Sequence, residues 1–249
     1  MNHKNIKLNC DMGESFGVHK MGLDEQIMPY IDMANLACGF HTGDPVTMHQ
    51  SIKEAKANGV SIGAHPSYPD LVGFGRREMN CSVEEIISLV IYQSGALNAL
   101  CQSYDVKIDY IKPHGALYNS MMKDMEVFKA IVKAVSKYNK NIKLMILSTA
   151  HNDEYASMAD KYGISLLYEV FADRAYQDDG TLVPRSMKGA VLSSEEEIVQ
   201  RAKLLQKEGC IKTINGKKLL LQADTLCVHG DNAQALSIIQ ALYKLNHAH

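Results

Sequence analysis

Short apolar runs alternate with longer segments of helical periodicity along this chain, and the alternation recurs about seven times. The runs predicted as strands are residues 7–10, 33–38, 61–64, 110–112, 144–147, 166–170 and 225–228. Strands separated by helices indicate a parallel sheet, because each crossover helix returns the chain to the edge where the previous strand began.

Capping residues mark where several helices begin and end. Asp44 is an N-cap for a helix over Pro45–Asn58, which has proline at its first position and ends before Gly59. Ser82 and Glu85 have the spacing of a capping box ahead of a long amphipathic segment. Further helices are predicted at residues 125–138, 153–162, 194–208 and 232–245.

The complete pattern predicts one α/β domain over residues 1–249. The strand and helix units are preceded and followed by short segments only. This pattern favours a closed or nearly closed (β/α) barrel of about seven strands over an open doubly wound sheet. Asn215 and Gly216 form a turn pair, which predicts a hairpin inserted near residues 210–222, before the last strand.

Composition and charge narrow the class of protein. Apolar residues make up 46% of the chain and charged residues 22%, which is typical of a globular fold. The 26 basic and 28 acidic residues are mixed, so the net charge of -2 offers no basic surface for nucleic acid. No run approaches the roughly 18 apolar residues of a membrane span. The six cysteines lack CxxC spacing, and we expect them to be thiols in a cytoplasmic protein.

Polar side chains gather after the predicted strands. In a barrel or an open parallel sheet, ligands bind beyond the carboxyl ends of the strands. The side chains that follow six of the strands are Asn9, Asp11 and Glu14; His41 and Asp44; His65 and Arg76; Lys112, His114 and Asn119; Glu169, Asp173, Arg174 and Arg185; and His229 and Asp231. The sequence therefore predicts one site built from six loops.

Several of these residues also have simpler interpretations. A single histidine at a strand end is more often a hydrogen-bonded loop residue than a catalyst. Asp44 is explained as a helix cap, and Arg76 and Arg77 can simply be solvated. The GFGRR segment that contains them suits a phosphate, but no GxxxxGK[ST] sequence is present. The grouping is therefore stronger evidence than any of its members.

A bound metal is an open alternative for this group. Asp11, His41, His65 and His114 have suitable ligand types on neighbouring strands. No HxH or HxxxH pair supports a metal, and His49 falls inside a predicted helix. We therefore expect no tightly bound metal. If one is present, its ligands are expected to be Asp11, His41 and His65.

Six long motifs carry a resemblance to a known family. They are LNCDMGESFG, ANLACGFHTGDP, GAHPSYPDLVGFGRR, IKPHGALYN, EVFADRAYQDDGTLVPR and CVHGDN. In this order they resemble the LamB/YcsF family over nearly the whole chain. The small departures from its pattern, such as Met12 and Thr42, affect no candidate site residue.

The resemblance implies a fold and a reaction. The fold is a barrel of the kind found in glycoside hydrolases and polysaccharide deacetylases. The reaction opens the lactam of 5-oxo-L-proline (pyroglutamate) to L-glutamate and is coupled to hydrolysis of ATP to ADP and phosphate. ATP, accompanied by Mg²⁺, would then be a cosubstrate, and two further subunits, B and C, would be partners.

The implied chemistry needs acid and base groups. Phosphorylation of the lactam oxygen would make C5 electrophilic, water would attack, and the ring nitrogen would leave after protonation. Asp11 or His65 would position or deprotonate the water. His114 or His229 would protonate the nitrogen. The residues assigned to catalysis are Asp11, His65, Lys112, His114, Arg174 and His229.

The remaining roles concern charge and substrate binding. Lys112 and Arg174 would balance developing negative charge. Asp173 would orient Arg174 or a histidine, and Asn9 and Asn119 would form hydrogen bonds with the substrate. The residues assigned to substrate binding are Asn9, Glu14, His41, Arg76, Asn119, Glu169, Asp173, Arg185 and Asp231.

Two other functions compete with this interpretation. The first is a metal-dependent deacetylase or amidohydrolase that acts without partners, favoured by the group of acids and histidines. The second is a non-catalytic subunit that binds substrate while the chemistry takes place elsewhere. Convergence of the polar side chains on one cavity would favour an enzyme over the second alternative.

Overall fold

Seven parallel strands close into a barrel in the computed structural model, which describes residues 6–228 and 234–247. The strands of the barrel are β1 (Lys7–Met12), β2 (Met33–Ala37), β3 (Ser61–His65), β4 (Ile108–Ile111), β5 (Lys143–Leu147), β6 (Leu166–Phe171) and β9 (Thr225–Cys227). Two more strands, β7 (Cys210–Lys212) and β8 (Lys218–Leu220), form a separate sheet. The barrel order is β1-β2-β3-β4-β5-β6-β9, and β9 pairs with β1 to close it. The predicted α/β barrel of about seven strands is confirmed.

Helices follow most of the strands and cover the outside of the barrel. They are α1 (Asp24–Ile27), α2 (Pro45–Asn58), α3 (Val83–Gln102), α4 (Gly115–Lys123), α5 (Met125–Tyr138), α6 (Asn152–Asp160), α7 (Glu195–Glu208) and α8 (Ala235–His247), with a 3₁₀ turn at Met28–Tyr30. The sequence did not predict α1 or α4. The start predicted at 232 for the last helix lies outside the described residues. Across the described ranges, no helix combines the length and the apolar character that a membrane crossing requires.

The predicted caps are present and set the start of two helices that follow site loops. The carboxylate of Asp44 accepts hydrogen bonds from the backbone N–H groups of Val46 and Thr47, which lack partners within α2. Ser82 and Glu85 form the reciprocal capping box at the start of α3. The entry of the chain into both helices is therefore determined locally.

The antiparallel pair β7–β8 lies outside the barrel order, between α7 and β9. Its strands lie within residues 210–222, the segment in which the turn pair predicted a hairpin. Gly216 has φ +79°, a left-handed conformation that suits glycine in such a turn.

The interior of the barrel has an apolar part and a polar part. Met33, Tyr110 and Met145 form a small buried cluster, separate from the large core between the barrel and the helices. The ring of Tyr110 occupies the space where a side chain at position 63 would lie, so Gly63 is needed there. The hydroxyl of Tyr110 donates to Asn35 Oδ1 over 2.7 Å, which joins the apolar cluster to the polar side chains above it.

Candidate functional site

A cavity of about 490 Å³ opens at the carboxyl ends of the strands. Nine of the residues predicted from the sequence line it: Asp11, Glu14, His65, Arg76, Lys112, His114, Asn119, Arg174 and Arg185. Four others, Asn9, His41, Glu169 and Asp173, are buried and do not line it. His229 and Asp231 lie outside the described residues.

Lys112 forms the centre of a buried charge network at the floor of the cavity. Its Nζ lies 2.9 Å from Asp11 Oδ1 and 2.8 Å from Glu169 Oε1. Burial alone would lower the pKa of Lys112, but the neighbouring carboxylates outweigh it, and the net pKa lies well above the usual value. The lysine is therefore an ammonium ion at neutral pH. It can stabilise negative charge on a ligand and cannot serve as a base.

Glu169 and Asn9 contact the Lys112 ammonium on the side away from the cavity. Glu169 is fully buried, and besides Lys112 its carboxylate accepts a hydrogen bond from Tyr118 Oη over 2.9 Å. Asn9 accepts from Asn35 Nδ2 over 2.9 Å and donates to Thr225 Oγ1 over 2.8 Å. Since neither side chain lines the cavity, their positions suit orientation of the groups above them, whereas the sequence assigned both to substrate binding.

Three histidines and Glu14 meet beside this network. Glu14 Oε1 lies 3.5 Å from His41 Nε2 and 3.9 Å from His114 Nδ1. His114 Nδ1 lies 2.9 Å from His65 Nε2, and that nitrogen lies 3.3 Å from Asp11 Oδ2. The rings of His41 and His114 are stacked, with centroids 3.8 Å apart. These side chains come from the segments after β1 and β2, the end of β3, and the segment after β4.

Burial affects the charge of two of these rings. It lowers the pKa of His114 well below the usual value, and the neighbouring His41 and His65 lower it further. The pKa of His41 is also well below the usual value, first through burial and then through His65. Both rings are therefore neutral at neutral pH.

The loop between β3 and α3 places the histidines. Asp70 accepts hydrogen bonds from the backbone of Gly73 and from the guanidinium of Arg77, which anchors the loop. Gly75, at φ +64°, then passes so close to His114 that a Cβ would lie 2.8 Å from the ring. The GFGRR segment thus shapes the histidine cluster, a role that the sequence did not indicate.

Three guanidinium groups, those of Arg76, Arg174 and Arg185, line the wall of the cavity. Arg174 donates to the backbone oxygens of Val183 over 2.8 Å and of Ala190 over 3.3 Å, which fixes its side chain. Burial, and then the nearby Arg185, lowers the pKa of Arg174 to about 10, so it remains a cation. The wall therefore suits an anionic ligand.

Sequence reasoning missed residues that bind the predicted ones together. Asn35 donates to Asp11 Oδ1 over 2.8 Å from the middle of β2. Tyr118, on the unpredicted helix α4, donates to Glu169. The ring of Phe171 lies 5.4 Å from the ammonium of Lys112. A polar side chain inside an apolar strand was the one available signal for Asn35, and the other two gave none.

Fold and site together define a (β/α)-barrel protein with a carboxylate, ammonium and imidazole site at the carboxyl ends of its strands. Within that class, the chain belongs to the LamB/YcsF family, whose model matches residues 6–249. The resemblance found in the motifs is therefore confirmed.

The similarity to individual relatives covers nearly the whole chain. It is 52% identical over 242 residues to the A subunit of 5-oxoprolinase from Vibrio campbellii, covering 97% of this chain and 96% of that protein. It is 49% identical to a 5-oxoprolinase A subunit from Pseudomonas aeruginosa, covering 96% and 95%.

Solved structures support the same fold. The crystal structure of a lactam utilization protein from Thermus thermophilus has a TM-score of 0.91 and 40% identity, covering 98% of this chain and 97% of that one. A putative cellobiose-phosphate cleavage protein from Enterococcus faecalis has a TM-score of 0.54 at 13% identity, covering 97% and 91%. The latter likeness shows the fold alone.

Proposed function

We propose that this chain is the A subunit of an ATP-dependent 5-oxoprolinase, which opens 5-oxo-L-proline to L-glutamate and hydrolyses ATP to ADP and phosphate. The observation that carries the proposal is the grouping of Asp11, His65, Lys112 and His114 at the floor of one cavity. Relatives about half identical over nearly their full length bear this subunit's name, which supports the same assignment.

The site offers groups for each stage of lactam opening. Asp11, whose Oδ2 lies 3.3 Å from His65 Nε2, is the best-placed group to orient and deprotonate the attacking water. The ammonium of Lys112 stabilises the negative charge that develops on oxygen. Protonation of the ring nitrogen is assigned to His114 or His229. A neutral imidazole such as His114 first accepts a proton and then transfers it to the leaving nitrogen.

The arginine wall matches the anions in this reaction. The substrate carries a carboxylate, and the activated lactam carries a phosphoryl group. Guanidinium groups bind both through paired hydrogen bonds, and Arg76, Arg174 and Arg185 all line the same cavity. We assign these arginines to the substrate carboxylate and to the phosphoryl group that ATP supplies with Mg²⁺.

Subunits B and C are proposed to cover the rim of the cavity. Val18, Val46 and Val72 are 92%, 77% and 92% exposed, on the segments that follow β1, β2 and β3. The first two segments are joined by a hydrogen bond from Gly17 N to Asp44 Oδ2 over 2.8 Å. We assign these three exposed valines to the contact with B and C. All six cysteines are free thiols, which supports a place in the cytoplasm.

The test is glutamate release from 5-oxoproline by the purified chain, with and without B and C and with and without ATP. We expect turnover only with all components. Asp11→Asn and His114→Ala should abolish it while the circular dichroism spectrum is unchanged. Asp153→Asn and His49→Gln, which lie on the outer helices α6 and α2, are the matched controls and should retain it.

Two outcomes would support the competing functions. Turnover by the chain alone without ATP would indicate a metal-dependent amidohydrolase. Full turnover by the complex after loss of Asp11 and of His114 would indicate a non-catalytic subunit that binds substrate for its partners.

A further inference from the structure

Four potential metal ligands converge at one point beside the cavity. Glu14, His41, His65 and His114 each offer one ligand atom, and these atoms all lie within 4.8 Å of one another. The sequence favoured no tightly bound metal because it contains no closely spaced histidine pair. In the folded chain the three histidines come from three separate segments, so their spacing along the sequence does not bear on the site.

Hydrogen bonds on the far side of two rings determine where their protons lie. His65 Nδ1 lies 2.7 Å from the backbone oxygen of Lys112, and His114 Nε2 lies 3.0 Å from that of Phe74. A carbonyl oxygen can only accept a hydrogen bond, so each of these nitrogens carries a proton. The neutral His114 ring therefore has a lone pair on Nδ1, and Nε2 is the nitrogen of His65 that is left to bind an ion.

The third ring is arranged in the same way. His41 Nδ1 lies 3.1 Å from Ser67 Oγ, and that hydroxyl donates its own proton to the backbone oxygen of Tyr68 over 2.7 Å. Ser67 must therefore accept from His41 Nδ1–H, which leaves a lone pair on His41 Nε2. All three rings direct their inner nitrogens to one point while their outer N–H groups donate to oxygen atoms, as in metal-binding histidines.

This arrangement is unfavourable without a positive charge at its centre. His65 Nε2 and His114 Nδ1 lie 2.9 Å apart, a distance at which two lone pairs repel each other unless a proton or a metal ion lies between them. His41 Nε2, on a side chain with no exposed surface, has no hydrogen-bond partner within residues 6–228 and 234–247. A buried acceptor without a partner is costly, and a cation bound to it removes that cost.

We propose that Glu14, His41, His65 and His114 bind one divalent transition-metal ion of the zinc type. Three imidazoles and a carboxylate form a ligand set that Zn²⁺ and Mn²⁺ accept, whereas Mg²⁺ and Ca²⁺ prefer oxygen alone. Two nitrogens bound about 2.1 Å from an ion at the tetrahedral angle are about 3.4 Å apart. The separation of 2.9 Å between His65 and His114 reaches this value when the two rings move apart by about 0.5 Å.

The ion would be accessible from the site. Glu14, His65 and His114 line the cavity, and His41 lies behind them. A ligand in the cavity could thus reach the ion beside Asp11, which remains on the same floor as the candidate that accepts a proton. With both nitrogens of His114 occupied, protonation of the ring nitrogen in the proposed reaction would fall to His229. This inference concerns metal binding by the chain alone and holds whether or not the proposed reaction is correct.

The test uses tag-free full-length chain, because an affinity tag would itself bind metal. The metal content after purification is measured by plasma mass spectrometry, and the chelated protein is titrated calorimetrically with ZnCl₂, MnCl₂ and MgCl₂. We expect about one Zn²⁺ or Mn²⁺ per chain and much weaker binding of Mg²⁺. The visible absorption bands of Co²⁺ bound in its place would report the coordination number of the site.

Variants locate the ion. His41→Ala, His114→Ala and the conservative Glu14→Gln should each weaken binding by more than about tenfold, the lower end of what losing even an outer-shell partner produces. His49 lies on α2, where its ring contacts Tyr104. The matched control is His49→Gln, which should bind the ion normally. Failure of the wild-type chain to bind any of these ions below millimolar concentration would overturn the proposal, whatever the variants do. Unchanged stoichiometry and affinity in all three folded ligand variants would equally overturn it.

Discussion

Replacing Lys112 by methionine tests the buried charge network at the floor of the cavity. Methionine resembles the lysine stem in volume, so the change removes the ammonium with little effect on packing. The fully buried carboxylate of Glu169 would keep Tyr118 Oη as its one hydrogen-bond partner in the described part of the chain. Asp11 is affected less, because it is partly exposed and also accepts from Asn35.

The expected magnitude follows from the stranded charge. Removing one partner of a buried ion pair costs about 3–5 kcal/mol, since it leaves the other charge without compensation. Total free energies of unfolding are about 5–15 kcal/mol, so Lys112→Met should lose a large part of the stability. Adding Glu169→Gln removes the stranded charge and keeps an acceptor for Tyr118. The double variant should therefore be more stable than Lys112→Met by about 1–3 kcal/mol.

Urea unfolding measures these differences. The chain contains no tryptophan, so far-ultraviolet circular dichroism is the signal of choice. Equal dependence of the unfolding free energy on urea concentration would show that the variants unfold alike. Lys137→Met, on the exposed face of α5, is the matched control and should differ from the wild-type chain by less than about 0.5 kcal/mol.

Two results would contradict the reasoning. A loss below about 1 kcal/mol for Lys112→Met would place the network among exposed ion pairs, which contribute little. A double variant no more stable than Lys112→Met would show that an unpaired Glu169 charge is not the cause of the loss.

Three further changes test stability elsewhere in the barrel. Burial raises the pKa of Asp24 from 3.8 to about 6. The protonated carboxyl therefore contributes fully to the free energy of unfolding below pH 3.8, and this contribution is lost as the pH rises through 6. The unfolding free energy of Asp24→Asn, measured with urea, should therefore rise relative to that of the wild-type chain by up to about 3 kcal/mol between pH values of about 4 and 8. Asp44→Ala removes the cap of α2 and should cost about 1 kcal/mol in the same assay, and an unchanged free energy would contradict the cap. Gly63→Ala forces a Cβ into the ring of Tyr110 and should cost about 1–3 kcal/mol, visible as a lower melting temperature, whereas an unchanged one would show that the ring can move freely.

Local signals predicted the elements well where capping residues were present. The bounds of α2 and α5 match those predicted, and the strands differ from their predicted ends by a few residues at most. The sequence interpretation missed α4, because its first residues belong to a segment with proline and glycine that reads as a loop. That helix matters for the site, since it presents Tyr118 to Glu169.

The principle that ligands bind beyond the carboxyl ends of parallel strands identified the position of the site but not the direction of each side chain. Asn9 and Glu169 lie near strand ends like Asp11 and Lys112, yet the first two do not reach the cavity and the second two line it. The choice depends on the tilt and register of strands around a closed barrel, which pairings with distant segments determine.

The sequence by itself determined the order of strands and helices, the barrel class and the set of polar residues near the carboxyl ends of the strands. These follow from periodicity and capping, which act over a few residues. Only the tertiary structure brought Glu14, His41, His65 and His114 to one point. It alone also placed the carbonyl oxygens that orient the rings, because those oxygens belong to segments that meet only when the barrel closes.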